Sequence, residues 1–145
     1  MPQLTFPITA AGLVADVRVN VDVATMQAAL AAGKAPSSIS TRGLIDTGTD
    51  MTAVAPWILQ QLGAPLQFRT TTQGIGGGNV PVRLFLVTLF VLNIGQPHLP
   101  WLVQSDLLVM ELPTGLPFDI LIGLDVIRTC KLLVDGPAGQ FTLDF

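Results

Sequence analysis

Leu13, Ala15, Val17, Val19, Val21 and Val23 occupy every second position of one stretch, with Val14, Asp16, Arg18, Asn20 and Asp22 between them. Side chains of an extended chain point alternately to opposite faces, so a period of two predicts a long strand with one buried face. Such a strand is unstable alone and needs a sheet or a second layer to cover it. The end of the chain repeats the pattern, with Phe141, Leu143 and Phe145 on one face and Gln140, Thr142 and Asp144 on the other. At 145 residues the chain is expected to be a single domain, residues 1–145, able to bury a core without staples. It is 50% hydrophobic and 12% charged, a composition that excludes disorder. Surplus apolar surface on a small domain points to an interface.

Between these ends the signals are mostly those of strands. Ile39 to Ile45 is one. Phe68 to Gln73 and Val80 to Val91 form a hairpin around Gly74-Ile75-Gly76-Gly77-Gly78-Asn79. Shorter strands are predicted near Leu99 to Val103, Asp106 to Met110, Ile120 to Ile122 and Lys131 to Val134. Helical signals are brief. Met26 to Ala32 suits a short turn, and Pro56 opens a helix over Trp57 to Leu62 that Gly63 can end. Leu124 to Cys130 is the third candidate. The chain reads as mostly β.

A net charge of -3 and a pI near 4.7 exclude nucleic-acid binding, because no basic patch could neutralise several phosphates. Cys130 and His98 are the sole residues of their types. They permit neither an intrachain disulfide nor a zinc site, and no G-x-S-x-G accompanies the histidine. No metal and no organic cofactor is expected. Cys130 reads as a small buried hydrophobe. The start has no basic segment followed by an apolar one, so no signal peptide is expected. The apolar run Leu84 to Leu92 is far short of the ~20 residues a membrane helix needs. The expectation is a soluble, cytoplasmic or unassigned location, compatible with a domain cut from a longer protein.

Leu44-Ile45-Asp46-Thr47-Gly48-Thr49-Asp50 carries the chemistry. An apolar strand running into an acid, a hydroxyl residue and glycine presents a carboxylate at a strand end, where glycine allows close approach. Alone, Asp-Thr-Gly is also an ordinary turn. Its company is more specific: the Gly74-Ile75-Gly76-Gly77-Gly78 hairpin follows, and then Ile120-Leu121-Ile122-Gly123 before a helix. The glycine-rich stretch lacks the Gly-Lys-Ser/Thr of a phosphate loop.

Together these segments resemble the retropepsin family, the retrovirus-type aspartic proteases and their cellular relatives. Pro2-Gln3-Leu4-Thr5 and Phe141 to Phe145 are similar to that family's terminal strands. The resemblance implies an all-β acid-protease fold, a closed barrel with a flap hairpin and one short C-terminal helix. It implies an aspartic endopeptidase acting as a homodimer, with the active site at the two-fold axis. Asp46, Thr47 and Gly48 would be catalytic, and Thr47 would lock the two active-site loops together. Asp50, Gly74, Ile75, Gly76 and Gly77 would bind substrate, a peptide with hydrophobic residues flanking the scissile bond. Ile75, Val80, Val82 and Ile122 would wall the pockets. Only one Asp-[Ser/Thr]-Gly is present, so the second carboxylate must come from another copy.

Leu124 stands where retroviral enzymes carry an arginine pairing with the acid matching Asp50, so Asp50 needs another partner or solvent. Asp125 reads as an acid at a helix N-terminus. Trp57, Ile58, Leu59 and Leu62 read as core. A Thr49 hydroxyl donating to Asp46 would favour the ionised carboxylate and set an acid pH optimum. The alternative from another class is a catalytically inactive peptide-binding or dimerisation domain of the same fold.

Overall fold

The computed structural model describes residues 1–74 and 76–145. In chain order the elements are β1 (Gln3–Thr9), β2 (Gly12–Val21), α1 (Val23–Ala31), β3 (Ser38–Ile45), β4 (Ala53–Val54), α2 (Pro56–Leu62) and β5 (Leu66–Gln73). They continue with β6 (Asn79–Leu92), β7 (Leu102–Glu111), β8 (Ile120–Ile122), α3 (Leu124–Ile127), β9 (Lys131–Asp135) and β10 (Gln140–Asp144). The strands follow the order β5-β6-β7-β4-β8-β3-β2-β1-β10-β9, and β6 also pairs with β2. That extra pairing closes β2, β3, β8, β4, β7 and β6 into a six-stranded barrel.

The alternation that opens the sequence fills this barrel. Ala15, Val17, Val19 and Val21 are buried from β2, and Val87, Leu89 and Val91 meet them from β6. Register sets Val17 opposite Val91, Val19 opposite Leu89 and Val21 opposite Val87. The alternation ends one step early, because Val23 begins α1. Asp22 caps that helix, its Oδ2 accepting from the Thr25 N–H at 3.1 Å, which fits the preference of acids for this position.

The terminal segments pair within the chain. β1 runs antiparallel to β10, with Leu4 opposite Leu143 and Phe6 opposite Phe141, and the two phenylalanine rings stack at 5.3 Å. β9 lies on the far side of β10.

Two expectations change. The two short strands predicted around Leu99 to Met110 are one strand, β7. A register shift between Val87 and Leu89 of its partner β6 absorbs the break, beside Asp106 at φ +50°. The helix after Gly123 ends at Ile127 rather than Cys130, because its last bonds tighten to three-residue spacing: Thr129 N–H to Val126 O and Cys130 N–H to Ile127 O. All three helical segments expected from the sequence are present among the described residues, as α1, α2 and α3. Among them no helix is long and apolar enough to cross a membrane.

Candidate active site

Asp46 sits where β3 leaves the barrel. β3 runs parallel to β8, with Ile45 opposite Ile122, and the Asp46 N–H donates to the Ile122 carbonyl at 2.9 Å. The chain then turns sharply. The Gly48 N–H donates to Asp46 Oδ1 at 2.8 Å, which orients the carboxylate from its own loop. A Cβ on Gly48 would stand 3.1 Å from that same oxygen, so glycine keeps the approach open.

The loop is bound to the segment carrying the second glycine. The Leu124 N–H donates to Thr49 O at 2.9 Å and the Asp125 N–H to Asp50 O at 3.1 Å. Thr52, wholly buried, completes the join. Its hydroxyl donates to Asp125 Oδ1 at 2.7 Å and accepts from the Gly123 N–H at 3.1 Å. Its N–H donates to Asp125 Oδ2 at 2.9 Å. Gly123 lies so close that a Cβ there would be 2.7 Å from the Met51 carbonyl carbon. Asp125 therefore does more than favour a helix start: its carboxylate accepts from Thr52 and from the Val126 N–H. Nothing in the pattern of the sequence marks Thr52. Only the crossing of two distant segments gives it this role.

The partner of Asp50 is Arg128, one turn beyond Leu124, with Nη2 4.0 Å from Asp50 Oδ1. Both side chains are well exposed, so water screens the pair and it contributes little. Thr49 departs from expectation. Its hydroxyl donates to the Met51 carbonyl at 3.0 Å and is committed to the backbone rather than to the Asp46 carboxylate, which removes the basis for an acid optimum. Thr47 and Gly48 are exposed.

Across the cleft stands the β5–β6 hairpin, whose strands pair from Phe68–Leu84 to Gln73–Asn79. Its tip closes through Gly74 N–H to Gly78 O at 2.8 Å and Gly77 N–H to Gly74 O at 3.1 Å. Gly76 and Gly77 have φ of +100° and +82°, a region that favours glycine. Ile75 lies outside the described residues. Nearly all of β5 is exposed.

Hairpin and loop share a cleft of about 540 Å³, lined among others by Gly48, Asp50, Thr70, Gln73, Val82 and Met110. Gly48 and Asp50 thus meet the hairpin strands. Val80 lines a neighbouring cleft of about 280 Å³ with Val82, whereas Ile122 is buried in the core rather than walling a pocket. A second cleft of about 660 Å³ borders Leu44, two residues before Asp46, with Pro117, Phe118 and Val14 supplying apolar wall. Sequence reading missed Pro117 and Phe118 as lining, because a loop's packing is not periodic.

Ile58, Leu59 and Leu62 are core, as expected, but Trp57 is 46% exposed. Its Nε1–H donates to Asp119 Oδ1 at 3.0 Å. Cys130 is half-buried, and burial, aided by the Asp144 charge, pushes its thiol up. Among the described residues no group of three or more His, Cys, Asp or Glu is placed to hold a metal ion.

A family model described as aspartyl protease matches residues 37–126, a span running from the start of β3 into α3. No curated protein sequence matches the chain. Among solved structures, a retropepsin-like aspartic protease from Rickettsia conorii is similar, with a TM-score of 0.60 and 12% identity over 99% of this chain and 90% of that one. The retroviral protease-like domain of Ddi1 from Leishmania major has a TM-score of 0.46 and 13% identity, over 91% of this chain and 89% of the other. At 12% identity the likeness to the Rickettsia conorii structure is one of fold, and together with the family model it makes the fold retropepsin-like.

Proposed function

The chain belongs to the aspartyl protease family, and from that premise we propose an aspartic endopeptidase, a single domain of residues 1–145 that works as a homodimer. The observation that carries this reading is a half-built site. One carboxylate, Asp46, is aimed by the Gly48 N–H at the end of β3, in a loop fastened to β8 and α3, and the chain has no second Asp-[Ser/Thr]-Gly. A two-fold axis beside this loop supplies the missing acid from a second copy.

Two carboxylates at short range cannot both ionise, so they share one proton and titrate together. The ionised one removes a proton from a water molecule while the other donates its proton to the peptide carbonyl oxygen. The water oxygen bonds to the carbonyl carbon, giving a tetrahedral diol. Collapse breaks the C–N bond, and the departing nitrogen takes a proton from the dyad.

Thr47 and Gly48, being exposed, are available to the facing loop. The hairpin tip at Gly74, Gly76 and Gly77 serves as the flap over an extended peptide, with Ile75 assigned there from the sequence alone. Such a lid excludes water and offers backbone groups to the substrate strand. Asp50, on the cleft wall, receives substrate main-chain N–H groups. The apolar cleft beside Leu44 takes a hydrophobic side chain flanking the scissile bond.

The test is a peptide library incubated with the native chain and with Asp46→Asn. Cleavage by the native chain that drops at least about a thousandfold in the variant is the expected outcome. Equal cleavage by both would remove Asp46 from the chemistry and with it this reading, and no cleavage by a chain that is dimeric in solution would leave a binding module in place of an enzyme.

A further inference from the structure

β3 presents a row of side chains just before it reaches the Asp46 loop. Ile39, Gly43 and Ile45 are buried from it, so Arg42 and Leu44 face the other way, and Asp46 follows at the strand end. Every second residue of an extended chain stands about 6–7 Å from the last. A cation, an apolar side chain and the carboxylate thus succeed one another at equal steps.

Arg42 is exposed and lines the same cleft as Leu44, Pro117 and Phe118. Register sets it opposite Asp16, yet Asp16 Oδ2 accepts from the Ile94 N–H at 3.0 Å. Arg83 faces Glu111 and Arg128 faces Asp50, while Arg18 lies over the Trp101 ring at 5.1 Å. Among the described residues Arg42 forms no ion pair. One acid shares its cleft, Asp119. That carboxylate is engaged at both oxygens: Oδ1 accepts from Trp57 Nε1–H at 3.0 Å and Oδ2 from the Thr41 hydroxyl at 3.3 Å. Arg42 therefore brings open donors to the cleft, in a planar fork that matches a carboxylate.

We propose that Arg42 sets a substrate preference: an acidic residue two positions from the hydrophobic residue that fills the cleft beside Leu44. Same-face side chains of an extended peptide are also about 6–7 Å apart, the step from Leu44 to Arg42. One peptide strand can fill the cleft with the first side chain and reach the guanidinium with the second. This rests on the protease reading above and names the class of its substrate.

The probes are peptides with one apolar pair at the scissile bond. They carry Glu, Gln or Lys two residues outward from an apolar residue of that pair. The native chain should cleave the Glu peptide with a kcat/KM about fivefold above the Gln peptide, the size of an exposed ion pair, and the Lys peptide most slowly. The margin should shrink in about 1 M salt, where the screening length falls to ~3 Å. Arg42→Gln should remove the preference, and Arg42→Glu should reverse it towards Lys, with thermal unfolding as the check that both fold. Calorimetric binding of the same peptides to Asp46→Asn should follow the native order.

Asp46-dependent cleavage that does not distinguish Glu from Gln, or a preference that survives Arg42→Gln, overturns the proposal and leaves the protease reading standing. Arg42-dependent binding of the Glu peptide by a chain that cleaves none of them keeps the preference and removes the protease reading. A chain that neither cleaves nor binds them removes both.

Discussion

The two walls of the cleft are built in opposite ways. The Asp46 loop is bonded to β8 and α3 through backbone groups and through buried Thr52. The β5–β6 hairpin opposite it is exposed along nearly all of β5 and closes on a glycine turn with positive φ. One wall fixes a carboxylate in position; the other has few contacts that would oppose movement. Low contact density and solvent-exposed backbone bonds are where local opening is easiest. A hydrolase that must hold an acid still while admitting a peptide requires both kinds of wall.

Substitutions on each wall can break or sharpen this contrast. The largest effect is expected of Gly123→Ala. Its Cβ would meet the Met51 and Thr52 backbone at 2.7 to 2.9 Å, and such overpacking should cost about 3 kcal/mol in urea unfolding. Peptide hydrolysis should fall with it, as the Asp46 loop is displaced. Next comes Thr52→Val, which keeps the shape but removes the hydroxyl. The Gly123 N–H loses its side-chain partner and Asp125 Oδ1 keeps only the Val126 N–H, at a cost of roughly 2 kcal/mol in the same assay. A neutral result would mean that the loop does not depend on this join.

On the other wall, Gly76→Ala strains a φ of +100° in open space. Global stability should change by about 1 kcal/mol or less, whereas KM or kcat for a peptide should shift. If this variant unfolded as readily as Thr52→Val, the two walls would not differ as described.

The smallest effect concerns pH. The folded state raises the Cys130 thiol above its ordinary range, so the folded chain disfavours the thiolate relative to the unfolded one. The stability concerned is intact below the unfolded thiol value and is lost as pH rises through it towards the raised folded value. Cys130→Ser should flatten that alkaline slope in thermal unfolding above about pH 8.5, the ordinary thiol value.

Much of this was legible beforehand because periodicity and turn chemistry are local. The β2 alternation, the Pro56-to-Gly63 helix limits and the glycine hairpin all emerged near their expected bounds. Expectations failed where a residue's neighbour was distant. Ile122 enters the core, and the β7 strand continues through a bulge that no local propensity announces; Thr49 alone departs locally, turning to Met51 two residues on rather than to Asp46. Leu124 correctly signalled a missing arginine partner, but Arg128 as the group facing Asp50 depended on how α3 ends.

The amino-acid order by itself determined the mostly β class, the position of the lone Asp-Thr-Gly at a strand end and the glycine tip facing it. These follow from which backbone conformations and faces each residue favours. Tertiary structure alone decided that β6 returns to β2 to close the barrel, that Thr52 and Gly123 cross in contact, and that β9 is left as an edge. Each of these joins segments far apart in the chain, where side-chain fit and backbone hydrogen bonding outweigh any local preference.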